Sequence, residues 1–202
     1  MSNITSVLFS GVGGQGVILA SELISEVAML HGLDVKKAEV HGMAQRGGSV
    51  TSHVKFGEKI FSPIIENKSA DIIAAFEPIE ALRYINFLSE KGTIFVNTKK
   101  YLPITAVLEK SPYPENPIAM LGEYAKNIVT FDAFELAEKA GTFRATNVVL
   151  LGAISNLLPF SMEEWKKGME VKVKPKFLDI NMNAFNLGKE EAKKVMEGIK
   201  SA

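Results

Sequence analysis

The chain has 202 residues, 47% of them hydrophobic, with lysine plus arginine equal to aspartate plus glutamate at 23 each. That length suits one domain or one domain with an appendage, the apolar content excludes a disordered chain, and zero net charge gives no global electrostatic case for nucleic acid. With no cysteine in the sequence there is no disulfide and no thiolate to hold an iron–sulfur cluster or a structural zinc.

The N-terminus, MSNITSVLFS, lacks the basic start and apolar core of a signal peptide. No apolar run reaches the ~20 residues of a membrane span, so the expected compartment is the cytoplasm. Ser6–Ser10 reads as a buried strand. Four glycines follow within Gly11–Gly16, in the segment FSGVGGQGV. VILASELISEVAMLHG then has helical spacing and stops at Gly32, and Asp34–Val40 resumes as a strand. Strand, glycine loop, helix and strand make a βαβ unit.

After Val40 the pattern changes. HGMAQRGG is a loop where a plain Rossmann half would continue with a helix. SVTSHVKFG alternates with period two, and EKIFSPII after Gly57 is the expected hairpin partner. ADIIAAF, apolar but for Asp71, reads as a strand of parallel-sheet type. EPIEALRYINFLSEKG reads as a helix with Pro78 in its first turn and Gly92 past its end, its stripe Leu82, Ile85 and Leu88 packing into the core. TIFVNT is a strand, and residues 99–117 form an excursion with at most a short strand. A helix near Ala119–Lys126, the strand NIVTFD, the helix AFELAEKAG and a buried helix in NVVLLGAISNLL follow. SMEEW sets Ser161 three residues before Glu164, a capping-box start, and a last helix runs from about Asn183 to Lys200. The alternation argues for a three-layer α/β domain with a mostly parallel, Rossmann-like sheet and a β-hairpin insertion after the second strand. The whole chain, 1–202, is one domain, with a C-terminal helical extension from about 161.

Gly11, Gly13 and Gly16 fit G-x-G-x-x-G between a strand and a helix. In that pattern Gly11 permits the tight turn, Gly13 the approach of backbone to a ligand, and Gly16 close helix–strand packing. Free amides and the helix dipole favour an anion there. The plain alternative is a turn that only needs glycine. Gly14 and Gln15 weaken a dinucleotide reading, and Glu39 is an ordinary strand residue rather than a ribose ligand. His41–Val50 should share the same carboxyl edge of the sheet. There Arg46 suits a carboxylate or phosphate, Gln45 a polar edge, and Gly47 and Gly48 close approach. His31, His41 and His53 have no metal-like spacing, and His53 is structural or solvated. Asn147 on an apolar helix is a core hydrogen-bonding residue, and Glu77 a helix-start charge. No acid–base or nucleophile constellation stands out.

GVGGQGV, HGMAQRGGSV, ADIIAAFEPIEALR and TFRATNVVLLGAI, in that order, resemble the gamma-type subunit of 2-oxoacid:ferredoxin oxidoreductases. Within that family the likeness is to the beta, smaller subunit of the indolepyruvate type. The resemblance covers most of the chain. It implies a non-cluster subunit, inactive alone, that supports CoA-dependent oxidative decarboxylation to acyl-CoA, CO2 and reduced ferredoxin. Thiamine diphosphate and the iron–sulfur clusters would then belong to a larger partner subunit, with ferredoxin as acceptor and CoA as co-substrate. It also implies that Gly11, Gly13, Gly14, Gln15 and Gly16 bind a cofactor or pack against the partner. His41, Gly42, Gln45, Arg46, Gly47 and Gly48 would form a loop facing the partner or CoA. The isolated chain is also compatible with a homodimer. A pyruvate or 2-oxoglutarate type of the same family, a stand-alone NAD-dependent enzyme and a nucleotide- or CoA-binding module stay open as alternatives.

Overall fold

The computed structural model describes residues 4–41, 47–101 and 113–201. Among them six strands form one sheet: β1 Thr5–Val12, β2 Asp34–His41, β3 Ser49–Gly57, β4 Ala70–Ala75, β5 Leu88–Asn97 and β6 Asn127–Phe131. Their order is β2-β3-β1-β4-β5-β6. β1, β4, β5 and β6 run parallel, while β3 is antiparallel to both β1 and β2. The mostly parallel α/β sheet expected from the sequence is present.

The helices are α1 Val17–Leu30, α2 Pro78–Tyr84, α3 Pro117–Leu121, α4 Ala133–Ala140, α5 Thr146–Ile154, α6 Met162–Lys172 and α7 Leu178–Ser201. Side chains alternate across each strand, so neighbouring residues feed opposite layers. Val7, Phe9, Ile72, Ala74 and Phe95 face a cluster built with α1, α5, α6 and α7. Leu8, Ile73, Ala75, Ile94 and Val96 face a smaller one with α2 and α3. Each fully buried Leu, Ile or Phe contributes about 1.5–3 kcal/mol of transfer free energy. Trp165 and Phe185 from the last two helices are fully buried in the larger cluster, with ring centroids 5.0 Å apart. Among the described residues no helix is long and apolar enough to cross a membrane.

The structure departs from the sequence reading in five places. β2 is parallel to β1 but does not pair with it, because β3 lies between them. The hairpin partner of β3 is β2, not the segment after Gly57, which forms no strand. Pro63 lacks an amide there, and side chains of β2 and β3 satisfy that backbone instead. Asp34 accepts from the Ile60 amide, His53 from the Ile65 amide, and Lys55 donates to the Ile64 carbonyl. α2 ends at Tyr84 and passes through a 3-10 turn, Ile85–Phe87, into β5. Gly92 therefore sits inside a strand rather than past a helix, where a Cβ would lie 2.7 Å from the Ala70 carbonyl. The helix expected near Ala119–Lys126 is the short Pro117–Leu121, started by Asn116, which accepts from the Ala119 amide. The last helix begins at Leu178, after a proline-led turn at Pro175–Phe177. Most of the excursion over 99–117 lies outside the described residues.

Candidate functional site

The glycine loop joins β1 to α1. Gly14 has φ 106° and Gly16 has φ 83°, both in the left-handed region that glycine tolerates best. The Gln15 amide donates to the Val12 carbonyl at 3.1 Å, closing the turn. Gln15 also folds its side chain back into the loop. Its Oε1 accepts from the Val12 amide at 2.7 Å and its Nε2 donates to the Phe76 carbonyl at 3.2 Å. It is a brace, a role the sequence did not reveal.

The glycine roles also differ from the motif's usual assignment. Gly11 is within β1, where a Cβ would fall 2.8 Å from both Phe76 and Val17. Gly16 is the residue before α1, and a Cβ there would fall 2.8 Å from Asn147 Nδ2. Asn147, buried on α5, donates to the Gly16 carbonyl at 3.4 Å. Gly16 thus needs both its left-handed conformation and the close approach of a second helix.

The second motif meets the first directly. The Gly13 amide donates to the Gly48 carbonyl at 2.8 Å, and the Gly47 amide to the Gly13 carbonyl at 3.4 Å. Gly47 has φ 75°. The His41 backbone ends β2 opposite Val50. Gly42, Gln45 and Arg46 lie outside the described residues. Glu39 pairs with Lys37 at 2.6 Å, as an ordinary strand residue does. His53 is buried, edge-on to Phe87 at 5.7 Å, and burial holds its imidazole below the usual range.

Behind both loops lies a buried polar cluster that sequence reasoning did not find. Glu77, expected as a helix-start charge, caps α2 by accepting from the Ile79 and Glu80 amides. It is also fully buried and accepts from Tyr113 Oη and the Tyr101 amide. Burial pushes its carboxyl above the usual range, against the opposing pull of those hydrogen bonds. Glu80, equally buried, accepts from Ser49 Oγ at 2.5 Å and Arg83 Nε at 3.1 Å. Asn97 donates to the Phe76 carbonyl and accepts from the Ala133 amide. These groups fix the stems of the loops at the carboxyl edge of the sheet. The only sequence signal was a carboxylate pair and an amide at the ends of apolar runs.

Two clefts open around the glycine loop. One, of about 290 Å³, runs between Gly13, Gly14, Ile18 and Val50. The other, of about 400 Å³, lies between Gly14 and Tyr101, Arg144, Thr146 and Asn147. The first turn of α1 carries no acidic residue and no side-chain cap. Its free amides and the Arg144 guanidinium therefore offer a positive wall to an anionic group. Among the described residues no cluster of three or more His, Cys, Asp or Glu could hold a metal ion.

Residues 6–191 match the family model described as pyruvate ferredoxin/flavodoxin oxidoreductase. The chain is 39% identical over 196 residues to the indolepyruvate oxidoreductase subunit IorB of Thermococcus kodakarensis, covering 95% of this chain and 97% of that one. Its counterpart from Archaeoglobus fulgidus is also 39% identical, over 93% of this chain and 94% of its own. The keto/oxoacid ferredoxin oxidoreductase gamma subunit of Geobacter sulfurreducens shares the fold with a TM-score of 0.69 and 27% identity, over 94% of this chain and 99% of that one.

Proposed function

Because the chain belongs to the pyruvate ferredoxin/flavodoxin oxidoreductase family, we propose that it serves as the small subunit of a heteromeric oxidoreductase of the indolepyruvate type. The observation that carries this reading is the likeness to indolepyruvate oxidoreductase subunits over nearly the full length of both chains. The complex would convert an arylpyruvate and CoA to acyl-CoA and CO2, with ferredoxin taking the electrons. Thiamine diphosphate and the iron–sulfur clusters are the cofactors this reading calls for. This chain has no cysteine to ligate a cluster, and among its described residues no three His, Cys, Asp or Glu gather to hold a metal ion. These cofactors are assigned to a larger partner subunit.

The role proposed for this chain is to present an ordered edge to that partner. Gly11, Gly13, Gly14, Gln15 and Gly16 shape a face for an anionic group, of which CoA phosphate is the proposed example. His41, Gly42, Gln45, Arg46, Gly47 and Gly48 complete the edge toward the partner or CoA. The Gly13–Gly48 hydrogen bond supports treating the two segments as one surface. The test is reconstitution. The purified chain, the larger subunit and both together are assayed for indolepyruvate-dependent reduction of an artificial acceptor with CoA and thiamine diphosphate. Only the combination should turn over.

A further inference from the structure

The basic run Lys172–Lys176 has no part in the site described above. α6 ends at Lys172, Val173 and Lys174 continue in extended backbone, and Pro175–Phe177 turns into α7. This stretch forms one wall of a cleft of about 660 Å³. The opposite wall is the Gly141–Ala145 turn, with Leu19 of α1 at its end.

Arg144, Lys172 and Lys174 line the cleft, and no carboxylate is among its described lining residues. Lys172 is matched by Glu26 at 3.4 Å. Arg144 and Lys174 have no ion pair among the described residues. In a chain of zero net charge this is a local positive excess. Two large aromatic side chains face the same space, Phe143 at 53% exposure and Phe177 at 43%.

A small polar ligand is oriented by a few fixed polar groups. Each side-chain amide in the cleft already commits one N–H to backbone: Asn181 donates to the Phe177 carbonyl at 2.8 Å, and Asn147 to the Gly16 carbonyl. What is left is aromatic surface rimmed by exposed cations on flexible stems, the composition of a protein–protein anchor and its rim. The cleft shares Leu19, Phe143, Arg144 and Asn147 with the one beside the glycine loop, so it continues the edge assigned to the partner.

We propose that this cleft docks an acidic segment of the larger partner subunit, with an apolar side chain against Phe143 and Phe177 and carboxylates against Arg144 and Lys174. The inference rests on the reading of this chain as a small subunit. Its test is a titration of native chain, Lys174→Glu and Phe177→Ala against the larger subunit, at low and high salt, with Lys91→Glu as an equal charge reversal elsewhere. Lys174→Glu should weaken association about tenfold at low salt, and the difference should close as salt screens it. Phe177→Ala should weaken it at both salt concentrations. Lys91→Glu should not, and the melting temperatures of the free variants should stay near that of the native chain. Unchanged association in both cleft variants overturns the docking assignment alone. Failure of the native chain to associate overturns it together with the subunit reading. Stabilisation of the free chain by CoA or ADP, lost in Lys174→Glu while association is intact, marks a small-anion site and also overturns it.

Discussion

The Gly13 amide and the Gly48 carbonyl are joined at 2.8 Å, so two glycine-rich segments separated by a helix and a strand are one surface. A change in the first loop should therefore be felt in the second. Gly13→Val keeps the amide but adds a branched side chain to a residue that lines both clefts. The free chain is expected to fold, as judged by circular dichroism, and the reconstituted complex to lose about tenfold or more of its activity. Full activity would mean that the loop is only a turn.

Gly16→Ala is expected to destabilise the free chain by about 1–3 kcal/mol, through left-handed strain and collision with Asn147. Asn147→Ala should relieve most of the collision, leaving its own Cβ at 3.2 Å, but not the strain. A double-mutant cycle in urea should then show the pair costing less than the sum of the single changes. Strict additivity would contradict the contact.

The helices α5 and α7 cross backbone to backbone. A Cβ on Gly152 would lie 1.9 Å from the Phe185 carbonyl oxygen, and one on Gly188 would lie 1.9 Å from that of Val149. No rotamer relieves such an approach, so Gly152→Ala should cost more than about 3 kcal/mol or prevent folding. Gly198, on the same α7, has open space around it. Gly198→Ala should be neutral or stabilise by up to about 1 kcal/mol, as helix propensity favours. Comparing the two denaturation midpoints separates the close crossing from a general effect of alanine.

Much of this architecture was legible in the sequence, and the failures have physical causes. The run ADIIAAF, apolar but for Asp71, forms the buried parallel strand its pattern suggests, and SMEEW announced the cap whose two halves both form at Ser161 and Glu164. Local periodicity could not tell that β3 would insert between β1 and β2, because register is decided by pairing across the sheet. Gly92 read as a helix stop because the close approach of the Ala70 carbonyl is a long-range fact. The glycine loop itself was visible, whereas Gln15 as its brace and Glu77 and Glu80 behind it depend on partners far along the chain.

Two carboxyls should shape the pH dependence of stability in opposite directions. Glu164 accepts from the Ser161 amide and hydroxyl and pairs with His31 at 2.7 Å, which holds its pKa at about 2 against an ordinary 4.5. Its contribution is present above 4.5 and is lost as pH falls toward 2. The stability gap between the native chain and Glu164→Gln should be full near neutrality and close over that window. Glu77 is raised by burial, so the folded chain holds that proton more tightly than the unfolded one. That difference favours folding below 4.5 and fades as pH rises through the folded value. Relative to Glu77→Gln, the native chain should therefore lose stability as pH rises from 4.5 toward neutrality. A pH-independent difference in either comparison would contradict the assignment.

The chain is expected to work as one part of a larger oxidoreductase. The most direct measurement is purification of the affinity-tagged chain from its native cells under non-denaturing conditions, with mass spectrometry of what accompanies it and an indolepyruvate-dependent acceptor-reduction assay of each fraction. The expected result is a stoichiometric larger subunit rich in cysteine, turnover in the complex, and none in the chain stripped from it. Turnover by the stripped chain, or a chain that comes out alone from active cells, would contradict it.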